Sequence, residues 1–240
     1  MAEIWGTPKR DQLYGTDDND LIRGGRGEDY INGGLGDDVL YGGFGNDTIE
    51  DWGGQSEIYG GRGSDRISFG GGRAFGGYGN DVIGSYGNGE AIGGIGNDTL
   101  TGGGWLWGDQ APGMPEQAGG NDTLHILADA DGAQGHGGLG RDRFYVTLGG
   151  EEPETGIVAD FRPGEDKIQV LVVPGSGEDP YDLFSQLDAN HNGVLEWSDS
   201  LSGGQVYVDV TTQTMFVGSG PSWAVIHGAT QLTAADWLLA

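Results

Sequence analysis

The chain has 240 residues, 52 of them Gly, and sets 37 acidic side chains against 11 basic ones for a formal charge of −26. So acidic a surface excludes nucleic-acid binding by counterion release and disfavours anionic membranes. No apolar run approaches the roughly 18 residues of a membrane span, cysteine is absent, and Gly at about three times ordinary usage points to a backbone of tight turns.

In chain order, the opening MAEIWGTPKRDQLYG lacks the apolar region of a signal peptide, which by itself suggests a chain not exported by the Sec route. Ile4 to Thr7 is predicted to be an edge strand whose apolar residues cover an open end. Gly15 to Arg23 (GTDDNDLIR) is an imperfect first repeat that keeps Asp20 and Ile22, as a terminal unit with no outer neighbour can. From Gly24 to Glu50 the chain reads GGRGEDYIN, GGLGDDVLY, GGFGNDTIE: three nonapeptides of the form GGxGxDxUx, with U a large apolar residue.

A fixed period this short is the mark of a solenoid. Glycines at the first, second and fourth positions are expected to take positive φ and turn their carbonyls inward. The sixth-position carboxylates Asp29, Asp38 and Asp47 point into the same concavity. Carbonyl oxygens plus a carboxylate suit a hard cation, and Ca2+ accepts about 6–8 of them. The three residues after each Asp are extended, and only the middle one (Ile31, Leu40, Ile49) needs to be apolar, because side chains alternate between faces.

Seven full copies begin at Gly24, Gly33, Gly42, Gly60, Gly76, Gly93 and Gly137. After Glu50, intact and degraded units alternate. DWGGQSEIY has Ser56 in the Asp place, FGGGRAF is short and has no acid, and SYGNGEAI has Gly89 there. Between them stand intact units with Asp65, Asp81 and Asp98. Gly102 to Gln117, with two prolines and Trp105-Leu106-Trp107, interrupts the period as one strand followed by a protruding loop. AGGNDTLHI with Asp122 and GGLGRDRFY with Asp142 resume the alternation. The four histidines are scattered and show no transition-metal spacing.

These nonapeptides resemble the RTX family. The resemblance implies a parallel β-roll with two nonapeptides per turn and Ca2+ held between loops stacked one turn apart. The ligands it implies are the carboxylates of Asp20, Asp29, Asp38, Asp47, Asp65, Asp81, Asp98, Asp122 and Asp142. Backbone carbonyls would join them from Gly24, Gly27, Gly33, Gly36, Gly42, Gly45, Gly60, Gly63, Gly76, Gly79, Gly93, Gly96, Gly137 and Gly140. With two units per turn, the intact repeats fall on one edge and the degraded ones on the other, so calcium is expected mainly along a single edge. The small Ala74, Ala91 and Ala133 at inward positions are expected to let the roll narrow on the degraded side.

Ordering a backbone residue costs about 1–2 kcal/mol, and one core side chain per nine residues recovers too little to offset that, so the repeats are expected to be disordered without metal. The resemblance also implies export in an unfolded state by type I secretion machinery that reads an uncleaved C-terminal signal, and hence a secreted or cell-surface location. The ending Leu232 to Ala240 (LTAADWLLA) fits such a signal and equally fits a small amphipathic closing helix.

From Phe144 onward the sequence turns apolar and β-branched, and RFYVTL, GIVADF, DKIQVLVV, GQVYVDV, TMFVG and AVIHG read as strands. Thr155 to Val170 resembles the segment that closes many RTX rolls. Between two of these strands, Asp188, Asn190, Asn192, the Val194 carbonyl and Asp199 fit an EF-hand-like loop over 188–199, with Tyr181 to Leu187 as its entering helix. Asp199 is a shorter arm than the Glu usual at that position.

The fold class expected is all-β: a parallel β-roll solenoid over 1–145, with an insertion at about 104–117, then a mainly β capping region over 146–240 containing a short helix and the EF-hand-like loop. No HExxH, GxSxG, P-loop or Cys nucleophile is present, so no catalytic residue is assigned and no enzyme activity is expected. Repeats that begin almost at Met1 leave open whether the chain stands alone or is cut from a longer protein. Two functions remain: a calcium-binding extracellular folding module, or a carbohydrate-associated module similar to those attached to alginate epimerases. A bound polysaccharide of the anionic kind would need a basic track, and Arg23, Arg26, Arg62, Arg66, Arg73, Arg141 and Arg143 are spread along the sequence.

Overall fold

The computed structural model describes residues 1–109, 119–128, 131–149, 153–173, 181–182, 194–195, 204–209, 213–219, 222–229, 231–233 and 235–237. Each short run after a repeat Asp is a strand, and successive strands fall alternately into two sheets. The first sheet takes β1 (Glu3–Trp5), β3 (Leu21–Arg26), β5 (Val39–Phe44), β7 (Ser56–Arg62), β9 (Gly72–Tyr78), β11 (Glu90–Ile95), β13 (Trp105–Trp107), β15 (Ala133–His136) and β17 (Thr155–Val158). The second takes β2 (Gln12–Tyr14), β4 (Tyr30–Asn32), β6 (Thr48–Asp51), β8 (Arg66–Phe69), β10 (Val82–Ser85), β12 (Thr99–Gly102), β14 (Thr123–Leu127), β16 (Arg143–Gly149) and β18 (Lys167–Val173). Every pairing between these strands is parallel. The molecule is a parallel β-roll.

The register explains the spacing of the apolar residues. Ile22, Leu40 and Ile58 stand in one column and Ile31, Ile49 and Ile67 in the facing one, each a full coil from the next. All six are fully buried in one continuous core, while the residues flanking each of them face outward. Ile4 packs against the open end of this core as expected, whereas Trp5 points outward and lies under Arg23.

The inward alanines Ala74, Ala91 and Ala133 are all buried in the core. Ala74 and Ala91 are buried in the same core cluster as Phe69, the large ring at the end of β8. That ring lies where a Cβ on Gly89 would stand. Gly89 therefore leaves room for the ring, which keeps the interior filled.

The parallel register runs past residue 145 without a break through β16, β17 and β18. On β17 the topology changes: β23 (Ser222–His227) joins it in parallel, and β22 (Thr214–Ser219) and β21 (Gly204–Asp209) follow antiparallel. β19 (Tyr181–Asp182) pairs antiparallel with β18, so the helix expected over Tyr181 to Leu187 is a strand at its first two residues. β20 (Val194–Leu195) pairs with β24 (Leu232–Thr233), and Trp237 bridges to Ile168. The described part of the chain's ending is therefore strand and bridge. Among the described residues no helix is long and apolar enough to cross a membrane.

Candidate metal centre

The repeat loops lie along the two edges where the chain passes from one sheet to the other. Second- and fourth-position glycines adopt positive φ, for example 113° at Gly43 and 126° at Gly45. First-position glycines such as Gly42 do not, which corrects the expectation that all three serve backbone conformation. Gly42 is needed for room: an ideal Cβ there would lie 2.5 Å from Asp47 Oδ2 and 2.6 Å from the Gly60 carbonyl oxygen. The same pair of oxygens, the carboxylate of one turn and the carbonyl of the next, faces Gly24, Gly60, Gly76 and Gly93.

Along the first edge the carboxylates form a ladder. The backbone N–H of each Asp donates to Oδ1 of the Asp one turn on, through Asp11, Asp29, Asp47, Asp65, Asp81, Asp98, Asp122, Asp142 and Asp166, at 2.7–3.0 Å. Beside it runs a second ladder from the fifth position, in which Asn46, Ser64, Asn80, Asn97 and Asn121 each accept the next loop's N–H.

The second carboxylate oxygens separate interior rungs from end rungs. Oδ2 of Asp29, Asp47, Asp65, Asp81, Asp98 and Asp122 is buried without any hydrogen-bond donor. At the N-terminal end Thr7 donates its N–H and hydroxyl to Asp11 Oδ2. At the other end Arg162 Nη2 donates to the Gly140 carbonyl at 2.7 Å and to Asp142 Oδ2 at 3.2 Å, and also reaches Asp166. The fold thus supplies donors at both ends of the ladder and none between.

Burial, reinforced by neighbouring carboxylates, pushes Asp65 up to about 6, Asp47, Asp81 and Asp98 to about 7 and Asp122 to about 8. Asp142 is raised by burial to about 7 even beside Arg162. A row of dry carboxylates without donors demands protons or cations. Each interior rung offers one free carboxylate oxygen and an adjacent carbonyl, a hard-oxygen donor set that fits Ca2+. Among the described residues no three His, Cys, Asp or Glu side chains converge.

Comparison with protein families matches residues 5–40, 14–49, 41–74 and 83–104 to the RTX calcium-binding nonapeptide repeat. The chain carries RTX calcium-binding nonapeptide repeats. No match is found among curated proteins.

The RTX loops of the second edge fare differently. Asp20 N–H donates to Asp38 Oδ1 and Asp38 N–H to Ser56 Oγ, where the ladder stops. Asp20 Oδ2 is held by Thr16, and although burial works against it, hydrogen bonds from Ala2 and Thr16 keep its carboxyl below the usual range. Beyond Ser56 the shortened loops close on backbone bonds, Gly70 N–H to Asp51 and Tyr86 N–H to Phe69.

Several residues that matter to the RTX array escape its consensus: Asp11, Asp51, Asp109, Arg162 and Asp166. Asp109 follows Gly108 where intact repeats have a second Gly, and its carboxylate accepts the N–H groups of Gly120 and Leu139 across the insertion. A signal for Asp11 was present in the Gly6-Thr7 and Gly15-Thr16 pairs, each five residues ahead of its Asp. The EF-hand-like ligands Asp188, Asn190, Asn192 and Asp199 lie outside the described residues, and of Val194 only its place in β20 is described.

Proposed function

We propose that this chain is a calcium-dependent folding module of a secreted or cell-surface protein, unfolded at cytosolic calcium and ordered outside the cell. What carries the reading is the run of six buried Oδ2 atoms, from Asp29 to Asp122, that lack donors while both ends of their ladder have them. Asp29, Asp47, Asp65, Asp81, Asp98 and Asp122, with the first-position carbonyl of the following loop, would hold the ions. Bound Ca2+ would supply positive charge that neutralises the carboxylates and links consecutive turns.

The chain's own part is to stack the loops so that each carboxylate is dry and fixed through Oδ1. Extracellular calcium modules have Kd of about 10⁻⁴–10⁻³ M, so a tenfold excess contributes about 1.4 kcal/mol per site and sub-micromolar calcium almost nothing. Six such sites are comparable with the roughly 5–15 kcal/mol of a whole domain. Passage through type I secretion machinery in an unfolded state fits this dependence. The EF-hand-like loop over 188–199 is proposed as a separate accessory site, on its D-x-N-x-N-G spacing.

Far-ultraviolet circular dichroism tests the reading. Coil in EGTA and β-structure in millimolar Ca2+ are expected over residues 15–145, and equal spectra would sink it.

One observation favours a polysaccharide-binding second function. Arg23, Arg26, Arg62 and Arg73, distant in sequence, share the outer face of the first sheet with Trp5, Tyr41, Tyr59 and Tyr78. Against it, Tyr41 and Tyr59 stack at 4.9 Å and 8°, and Tyr59 and Phe75 at 5.0 Å and 5°. Their ring faces cover one another, Arg23 and Arg62 lie on aromatic rings, and Arg73 is paired with Glu90. The face is satisfied by self-packing, and the first reading is preferred. Alginate binding at saturating calcium would reverse that preference.

A further inference from the structure

The degraded edge of the roll holds a feature that its repeat pattern does not predict. Asp51 stands one coil on from Gly33, in the place of a first-position glycine. Its carboxylate is 1 % exposed, Oδ1 accepts the Gly53 N–H at 3.0 Å and Oδ2 has no donor in hydrogen-bond geometry, although the nearby Ser56 hydroxyl offsets part of the burial that raises its pKa. Asp38, equally buried, likewise has its Oδ1 engaged by Asp20 N–H and its Oδ2 bare.

Both bare oxygens face the same glycine. An ideal Cβ on Gly33 would lie 2.6 Å from Asp38 Oδ2 and 2.7 Å from Asp51 Oδ2. At Gly24, on the intact edge, the equivalent neighbours are Asp29 Oδ2 at 2.6 Å and the Gly42 carbonyl oxygen at 2.7 Å. The Asp51 carboxylate has therefore replaced a carbonyl oxygen in an otherwise matching arrangement.

We infer that Asp38 and Asp51 together form a divalent-cation site on the second edge, in which a side chain outside the repeat consensus supplies the oxygen that backbone supplies elsewhere. The inference rests on the reading of the array as calcium-binding. Two carboxylates sharing one dry space repel unless a cation or proton lies between them. A higher ligand charge also favours binding over that at a rung with one free carboxylate. The site ends the second edge: Ser56 carries no charge, and the next loop closes on backbone bonds.

The test is the number of Ca2+ ions bound at saturation, counted by native mass spectrometry on the full chain. Asp51→Asn, which keeps the acceptor for Gly53, should lose one ion, Asp38→Asn the same one, and the double variant no more than one. An unchanged count in Asp51→Asn overturns the site in favour of a shared proton, and loss of two ions in the double variant overturns the pairing. If neither variant folds in calcium, terbium emission excited through tryptophan decides. Trp52, exposed and next to Asp51, should sensitise one ion, so Trp52→Phe should lose a discrete share of emission, and unchanged emission would refute the site. Absence of any calcium-induced transition in the unmodified chain would defeat the folding reading, whereas a normal transition with an unchanged count defeats only this site.

Discussion

An interior aspartate of the ladder divides its work between two oxygens. Oδ1 of Asp65 fixes the loop by accepting the Asp47 N–H, while Oδ2 waits without a donor. Asp65→Asn keeps the first role and removes the charge needed for the second, so it isolates the ionic contribution. We expect it to raise the calcium midpoint of the whole roll several-fold in a dichroism titration. Asn88→Ala, at a side chain that donates to Asp131 at 3.3 Å on the exposed surface, should leave that midpoint unmoved.

Arg162 reverses the logic, because here a tethered cation stands beside the last rungs. Replacing it by Gln strips the charge-assisted donor from Asp142 Oδ2, and a buried group left unsatisfied costs about 1–3 kcal/mol. Arg162→Gln should therefore raise the calcium needed to order the coil that carries Asp142 and bind one additional calcium at saturation. An unchanged ion count and calcium midpoint would show that Arg162 does not stand in for a metal.

At the scale of strands and loops, the nonapeptide made most of the roll legible. One apolar residue between two outward ones after each Asp is enough to place β4, β6 and β8 and to point Ile31, Ile49 and Ile67 inward. The alternation of intact and degraded units likewise matched the geometry, since the Asp ladder runs the length of one edge and stops at Ser56 on the other. Arg162 and Asp51 were not legible. Each is a single residue whose partners lie in a neighbouring coil, so its role depends on register and not on local pattern. The pairing of β17 with β23 was hidden for the same reason, because a long stretch of chain separates them.

The array also fixes a pH dependence. Unfolded aspartates titrate near 4, but Asp47, Asp65, Asp81, Asp98 and Asp122 are pushed up to about 6–8 in the roll, chiefly by burial. The metal-free folded state therefore holds more protons than the unfolded one. Its stability from these groups is fully present below about pH 4 and is lost as pH rises through 6–8. In EGTA, lowering the pH from 8 to 5 should recover β-signal. In calcium the order inverts: ligation needs ionised carboxylates, so the calcium midpoint should fall as pH rises across the same window. A β-signal in EGTA indifferent to pH would contradict the burial of these carboxylates.

Over the whole molecule, each coil touches only its neighbours, so stability is a sum of coils and interfaces and folding can in principle begin anywhere along the axis. The two ends are unequal. The N-terminal coils bury one Ile or Leu per strand and bring a ladder whose interior carboxylates have no donors. The C-terminal coils add Phe144, Val146, Phe161, Ile168, Val170 and Trp237 to the core, and there Arg162 already satisfies the last rungs without metal. Order should start where core is largest and the need for ions smallest, then extend as each new coil presents oxygens for the next. Hydrogen–deuterium exchange at calcium below the midpoint measures this directly. Protection is expected first in β16 and β18, later in β8 and β10, and last in β2 and β4. Once the ladder is filled, the coils should exchange together, because removing an ion from one rung weakens both adjoining turns. Protection appearing first at β3 to β6 would place the nucleus at the N-terminal end and would mean that the loops, and not the capping core, set the direction of folding.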